Sequence, residues 1–129
     1  MKKEERSIAK IEDDVKSAGQ SFIGLRMEDL LSRLPELEDK VTKNKLIEEY
    51  FENQIGTRDN AIGGTRTRVN AAIRIIKADK VLYALSLIDG SDSRVLPEAV
   101  LGAKRVINRI KTGKIKLPVL LQFSENRNS

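Results

Sequence analysis

The stretch that decides the fold is residues 65–88, "TRTRVNAAIRIIKADKVLYALSLI". Its apolar side chains fall at three- and four-residue intervals, the period of a helix rather than of a strand. Val69, Ala72, Ile73, Ile76, Val81, Leu82, Leu85 and Ile88, with Ala71, Ile75, Ala78, Ala84 and Leu87 between them, cover most of a helical circumference. A helix apolar on that much of its surface is expected at the centre of the fold. Ile73, Ile76 and Leu85 are expected in the core. "KADK" at 77–80 offers a break, so the alternative is two shorter helices. Thr65 or Thr67 is the expected N-cap, because a hydroxyl there accepts from an otherwise unpaired amide.

The flanking segments share this period. Ile8, Ile11, Val15 and Ala18 form a narrow stripe, with Gly19 as a stop. So lean a stripe predicts packing on a second copy of the chain, and hence a homo-oligomer. The region beginning at Gly24 carries Leu30, Leu31 and Leu34, then Pro35. Proline disfavours helix at the residue before it, so two pieces are expected there. The second piece carries Leu37, Val41, Ile47, Tyr50 and Phe51 and ends at Gly56. A last helix runs through Leu96, Ala99, Val100, Ala103, Val106, Ile107 and Ile110, with Pro97 in its first turn and Gly113 as C-cap. "DGSDS" at 89–93 separates it from the central segment, with Gly90 suited to a left-handed cap. "IKLPVLLQF" at 115–123 reads as extended, and Pro118 bars it from the middle of a sheet. The sequence therefore predicts an all-α fold: one helical domain over 1–123, a bundle of four or five helices with a short extended C-terminal segment, and a flexible tail at 124–129.

Composition narrows the chemistry. The chain of 129 residues has no Cys and no His, which removes Cys/His zinc sites, thiol chemistry and imidazole catalysis. Its five aromatic residues are Phe22, Tyr50, Phe51, Tyr83 and Phe123. No carboxylates are placed by spacing as a catalytic or metal-binding set, so a non-enzymatic protein with no cofactor and no metal is expected. No apolar run reaches the roughly 20 residues of a membrane span. The N-terminus "MKKEERSIAKIEDD" lacks a leader's apolar stretch, so a soluble, cytoplasmic protein is expected.

The net charge of +5 is unevenly placed. Residues 28–53 carry eight acids against four bases, whereas residues 102–116 carry six bases and no acid. On the last helix Lys104, Arg105, Asn108, Arg109 and Lys111 fall outside the apolar stripe, and Lys114 follows just past the C-cap. Such a face holds phosphates and reads base edges, or it meets an acidic protein, or it is simply solvated. "LGAKRVINRIKTGK" at 101–114 is similar to the second half of a helix-turn-helix, but Pro97 and the unbroken period favour one continuous helix.

A second candidate precedes the central helix. Gly63 and Gly64 permit close backbone approach, Thr65 offers a hydroxyl, and Arg58, Arg66 and Arg68 offer forked donors that match phosphate. A helix N-terminus favours anions. The same residues also describe an ordinary helix–helix connector. The spacing matches neither the Walker pattern nor the dinucleotide fingerprint.

"LPELEDKV" at 34–41 and "RDNAIGG" at 58–64 resemble small phage regulators of late transcription of the RinA/ArpU type. Asp59, Asn60, Ile62, Gly63, Gly64 and Arg66 take the places of that family's Asp, Asn, Ile, Gly, Gly and nearby Arg, with Ala61 inserted. The helix-turn-helix expected toward the family's C-terminus has no counterpart here. The resemblance implies a phage or mobile-element origin and a regulatory role. The combined expectation is a regulator that binds nucleic acid, DNA ahead of RNA, through residues 102–116 and the arginines around Gly63. The alternatives are a protein-interaction or inhibitor module and a binder of a phosphorylated small ligand.

Overall fold

The computed structural model describes residues 7–54, 59–88 and 94–115. Among these the elements are α1 (Ile8–Ala18), α2 (Gln20–Ser32), a 3-10 turn (Leu34–Glu38), α3 (Lys40–Glu52), α4 (Ile62–Lys77), α5 (Val81–Ser86) and α6 (Pro97–Lys111). There is no strand among them, so the all-α expectation holds, with six helices in place of four or five. None is long and apolar enough to cross a membrane. Gly56, Gly90, the segment beyond Ile115 that is expected to be extended, and the expected C-terminal tail lie outside the described residues.

Local signals explain most boundaries. Ser7 caps α1 by accepting from the Lys10 amide at 3.2 Å. Gly19 then takes φ +91 and turns the chain directly into α2. Asp39 caps α3, accepting from the Thr42 amide at 2.9 Å and its hydroxyl at 2.8 Å. Pro97 opens α6, and the Leu96 amide just before it donates to the Ser21 hydroxyl of α2 at 3.0 Å. At the far end Gly113, at φ +81, lets the amides of Gly113 and Lys114 reach the carbonyls of Ile110 and Arg109. That is a Schellman cap.

The 65–88 segment is two helices, not one. Asp79 sits at φ +59, where its amide reaches the Ile76 carbonyl and the Lys80 amide reaches that of Ile75. This is the same cap with aspartate where glycine is usual, and it ends α4 before α5 begins. The expected caps Thr65 and Thr67 are not at the boundary, because α4 already begins at Ile62 with Ala61 as its cap residue. Of the expected core residues, Ile76 and Leu85 are buried, but Ile73 is only half-buried. Val41, counted among the apolar positions of α3, is 61 % exposed.

α1 lies against α4, and α6 lies against α2 and α5. Ile11, Val15, Ile23, Met27, Leu30, Ile47, Tyr50, Val69, Ile75 and Ile76 fill the space between helices. Of the stripe on α1, Ile11, Val15 and Ala18 pack on their own chain, while Ile8 stays exposed. Ile11 and Val15 are buried, and the buried Asp14 receives the Arg74 guanidinium of α4 at 3.0 Å. A narrow stripe is sufficient because α4 offers a broad apolar surface beside it.

The helices α2 and α6 cross in backbone-to-backbone approach. Gly24 lies in the middle of α2, not at the start of a helix as its identity implies. A Cβ on Gly24 would strike the backbone carbonyl of Ala99, and a Cβ on Gly102 would strike that of Gly24. The crossing brings the inner face of α6, formed by Ala99, Gly102, Ala103 and Val106, flush with α2. The opposite face of α6 is left outside.

Candidate nucleic-acid interface

The expected loop site is already filled by the chain itself. Gly63, Gly64 and Thr65 form the first turn of α4, and the carboxylate of Asp59 folds back onto that turn. The Thr65 hydroxyl donates to Asp59 Oδ2 at 2.9 Å. Arg68 grips the same carboxylate through Nε and Nη2 at 3.0–3.2 Å, and its Nη1 donates to the Ala18 carbonyl at 2.7 Å. Gln54 holds the Asp59 backbone from both sides, accepting from its amide and donating to its carbonyl. Gly64 is glycine because a Cβ there would lie 2.9 Å from Asp59 Oδ1.

The energetics follow from this geometry. Asp59 and Arg68 are largely buried, with 13 % and 20 % of their side chains exposed. The Arg68 hydrogen bonds, aided by Thr65, hold the Asp59 carboxyl below the usual aspartate range against the opposing effect of burial. An anion favoured by the start of α4 is thus supplied internally. Arg68 also places a cation at the C-terminal end of α1, where the helix dipole favours one. Thr65 and Arg68 are consumed in folding, Gly63 is exposed with open space around it, and Arg66 points elsewhere. Arg58 lies outside the described residues.

α6 has a different character. Lys104, Arg105, Asn108, Arg109, Lys111 and Lys114 are all exposed. Leu101, 65 % exposed, stands among them at helical spacing. Glu28 of α2 reaches across to this helix, accepting from Arg105 Nε at 3.2 Å and Arg109 Nη1 at 2.7 Å. One carboxylate therefore partly offsets two guanidiniums. Lys104, Lys111 and Lys114 have no acidic partner among the described residues. The structure does not assemble the two candidate sites into one: Arg68 turns inward to Asp59, while Arg105 and Arg109 turn to Glu28.

Sequence reasoning missed a third cationic surface, a groove between α4, the 3-10 turn and α3 to which Arg66 belongs. Its signal on α4 is the run Arg66, Asn70, Ile73, Lys77, at steps of four, three and four residues. The opposite wall comes from elements near residue 40, and nothing local links the two. Among the described residues no three carboxylates converge into a metal-ion site. No family model, curated protein or solved structure matches the chain.

Proposed function

We propose that this chain is a small non-enzymatic nucleic-acid-binding protein that presents the outer face of α6 to the backbone of duplex DNA. The observation that carries the reading is the stripe Leu101, Lys104, Asn108, Lys111. It lies opposite the face that the glycine crossing buries, and its lysines have no acidic partner among the described residues. Ammonium and guanidinium groups neutralise phosphates and release counterions, which supplies affinity independent of sequence. Asn108, between the two lysines, and Leu101, at the start of the stripe, are suited to an adenine edge and a thymine methyl. An exposed helix fits the major groove of B-DNA, whereas that of A-form RNA is too narrow to read. A regulatory role of phage or mobile-element type belongs to this reading through the resemblance around Asp59–Arg66.

Fluorescence anisotropy with a labelled duplex over a salt series tests it. Lys104→Ala and Lys111→Ala are each expected to lower the slope of log affinity against log salt by about one unit. Absence of binding at ~0.1 M salt, or unchanged slopes in both variants, overturns the proposal.

A further inference from the structure

We infer that the groove between α3, the 3-10 turn and α4 docks an acidic amphipathic helical segment of a partner protein. The α4 wall runs from Arg66 to Lys77, eleven residue steps, or about 16 Å at the helical rise. The groove is ≈ 380 Å³ in volume. Its apolar lining is Leu34 and Leu37 from the 3-10 turn and the half-buried Ile73 of α4.

The rim carries four cations against one carboxylate. Lys77 spends part of its charge on that carboxylate, Glu38, at 3.5 Å. Lys43 donates to the Asn70 side-chain oxygen at 3.0 Å, a neutral acceptor that leaves the lysine charge unbalanced. Lys40 and Arg66 line the groove with no ion pair among the described residues. The lining is thus rich in donors and poor in acceptors. An occupant that fits must bring negative acceptors at its edges and apolar side chains along its middle.

Shape selects among such occupants. A concave trough three helical turns long accepts a helix that places leucines at i, i+4 and i+7 with carboxylates beside them. A duplex is convex and does not enter it. Among the described residues no aromatic side chain lines the trough, so unpaired bases have none of these to stack on. The groove is built from α3, α4 and the 3-10 turn, whereas α6 packs on α2 and α5. The inference therefore stands or falls independently of the DNA reading.

The test uses the full chain and a fluorescein-labelled peptide of about 18 residues, long enough for five turns. Leucine repeats at helical spacing on one face and glutamate flanks it. A shuffled peptide of the same composition and a single-stranded oligonucleotide serve as comparisons. Saturable binding is expected, weaker by roughly tenfold or more for the shuffled peptide. Lys43→Glu with Arg66→Glu, and separately Lys40→Glu, are expected to weaken the patterned peptide by at least about tenfold while DNA binding through α6 is unchanged. Ile73→Ser is expected to remove the preference for the patterned over the shuffled peptide. Thermal melts report whether each variant is folded, and Lys40, being exposed, supplies a variant with little structural cost. Equal binding of the two peptides, no binding, or wild-type affinity in Lys40→Glu overturns the inference. Displacement of the peptide by the oligonucleotide, with oligonucleotide binding lost in the charge-reversed variants, overturns it in favour of a nucleic-acid groove.

Discussion

Gly102 of α6 rests against the backbone carbonyl of Gly24 in α2, with no room for a Cβ between them. Alanine has the better helix propensity by about 1 kcal/mol, so propensity alone predicts that Gly102→Ala stabilises. Packing opposes it more strongly, because the atom struck is backbone and the two helices must separate along their whole contact. Overpacking of this kind costs about 1–3 kcal/mol. Gly102→Ala is therefore expected to lower the melting temperature. Gly63→Ala, which meets open space in the first turn of α4, is expected to raise stability by about 0.5 kcal/mol. Thermal denaturation of the two variants side by side separates packing from propensity.

Asp79 holds the left-handed position that ends α4. A non-glycine residue there is strained by about 1 kcal/mol, though aspartate bears it better than most. Asp79→Gly is expected to stabilise the protein by about 0.5–1 kcal/mol in urea denaturation. A loss of stability instead would show that the Asp79 side chain contributes more than its backbone strain costs.

The Asp59–Arg68 pair makes stability depend on pH in a defined direction. The folded carboxyl is held below its unfolded value of roughly 3.9. Its contribution is therefore complete above that value and is lost as the pH falls through the lowered folded value. Asp59→Asn removes the titration. The gap in melting temperature between wild type and Asp59→Asn is expected to be constant from neutral pH to about pH 5 and to shrink on further acidification. Arg68→Met, which strands the carboxylate, is expected to cost about 2–3 kcal/mol at neutral pH. A gap that widens in acid would contradict the assignment.

These positions also show what a sequence can and cannot reveal. Gly19, Pro97 and Gly113 act on the residues beside them, so their turns and caps are legible from the string. Asp79 makes the same cap as Gly113, but aspartate is too common in other settings to announce it. Gly24 was misleading, because a glycine that permits close packing looks the same as one that breaks a helix. The distinction rests on Ala99 and Gly102, more than seventy residues away. The basic stripe on α6 followed from periodicity alone. Its partial neutralisation by Glu28, 77 and 81 residues before Arg105 and Arg109, did not. That Arg68 serves Asp59 and not a ligand is not legible in the sequence, because a folded-back carboxylate cannot be seen in one dimension.

Ile73 and Ile76 look equivalent in the sequence and differ in the fold. Ile76 is 1 % exposed, whereas Ile73 borders the groove. Ile76→Ala is expected to cost about 2–5 kcal/mol, the range for a truncated core side chain. Ile73→Ala is expected to cost only about 1 kcal/mol, because part of its surface already meets water. Similar losses in both would show that the groove closes over Ile73 in solution.

Glu28 gives the sharpest check on the role of α6. Its carboxylate engages Arg105 and Arg109 on the exposed side of the helix. Such surface pairs contribute at most about 1 kcal/mol to stability, so Glu28→Gln is expected to leave the fold nearly unchanged. Its effect on a polyanion is larger: the substitution removes the carboxylate that engages Arg105 and Arg109 and releases two guanidiniums for phosphate. If α6 meets DNA, Glu28→Gln tightens binding severalfold and steepens its salt dependence by up to about one unit. The adjoining lysine variants, Lys104→Ala and Lys111→Ala, move both quantities in the opposite direction. Were the helix merely solvated, Glu28→Gln would change neither, and any DNA affinity would have to come from another surface. Titrating wild type and Glu28→Gln against one duplex at three salt concentrations decides between these outcomes.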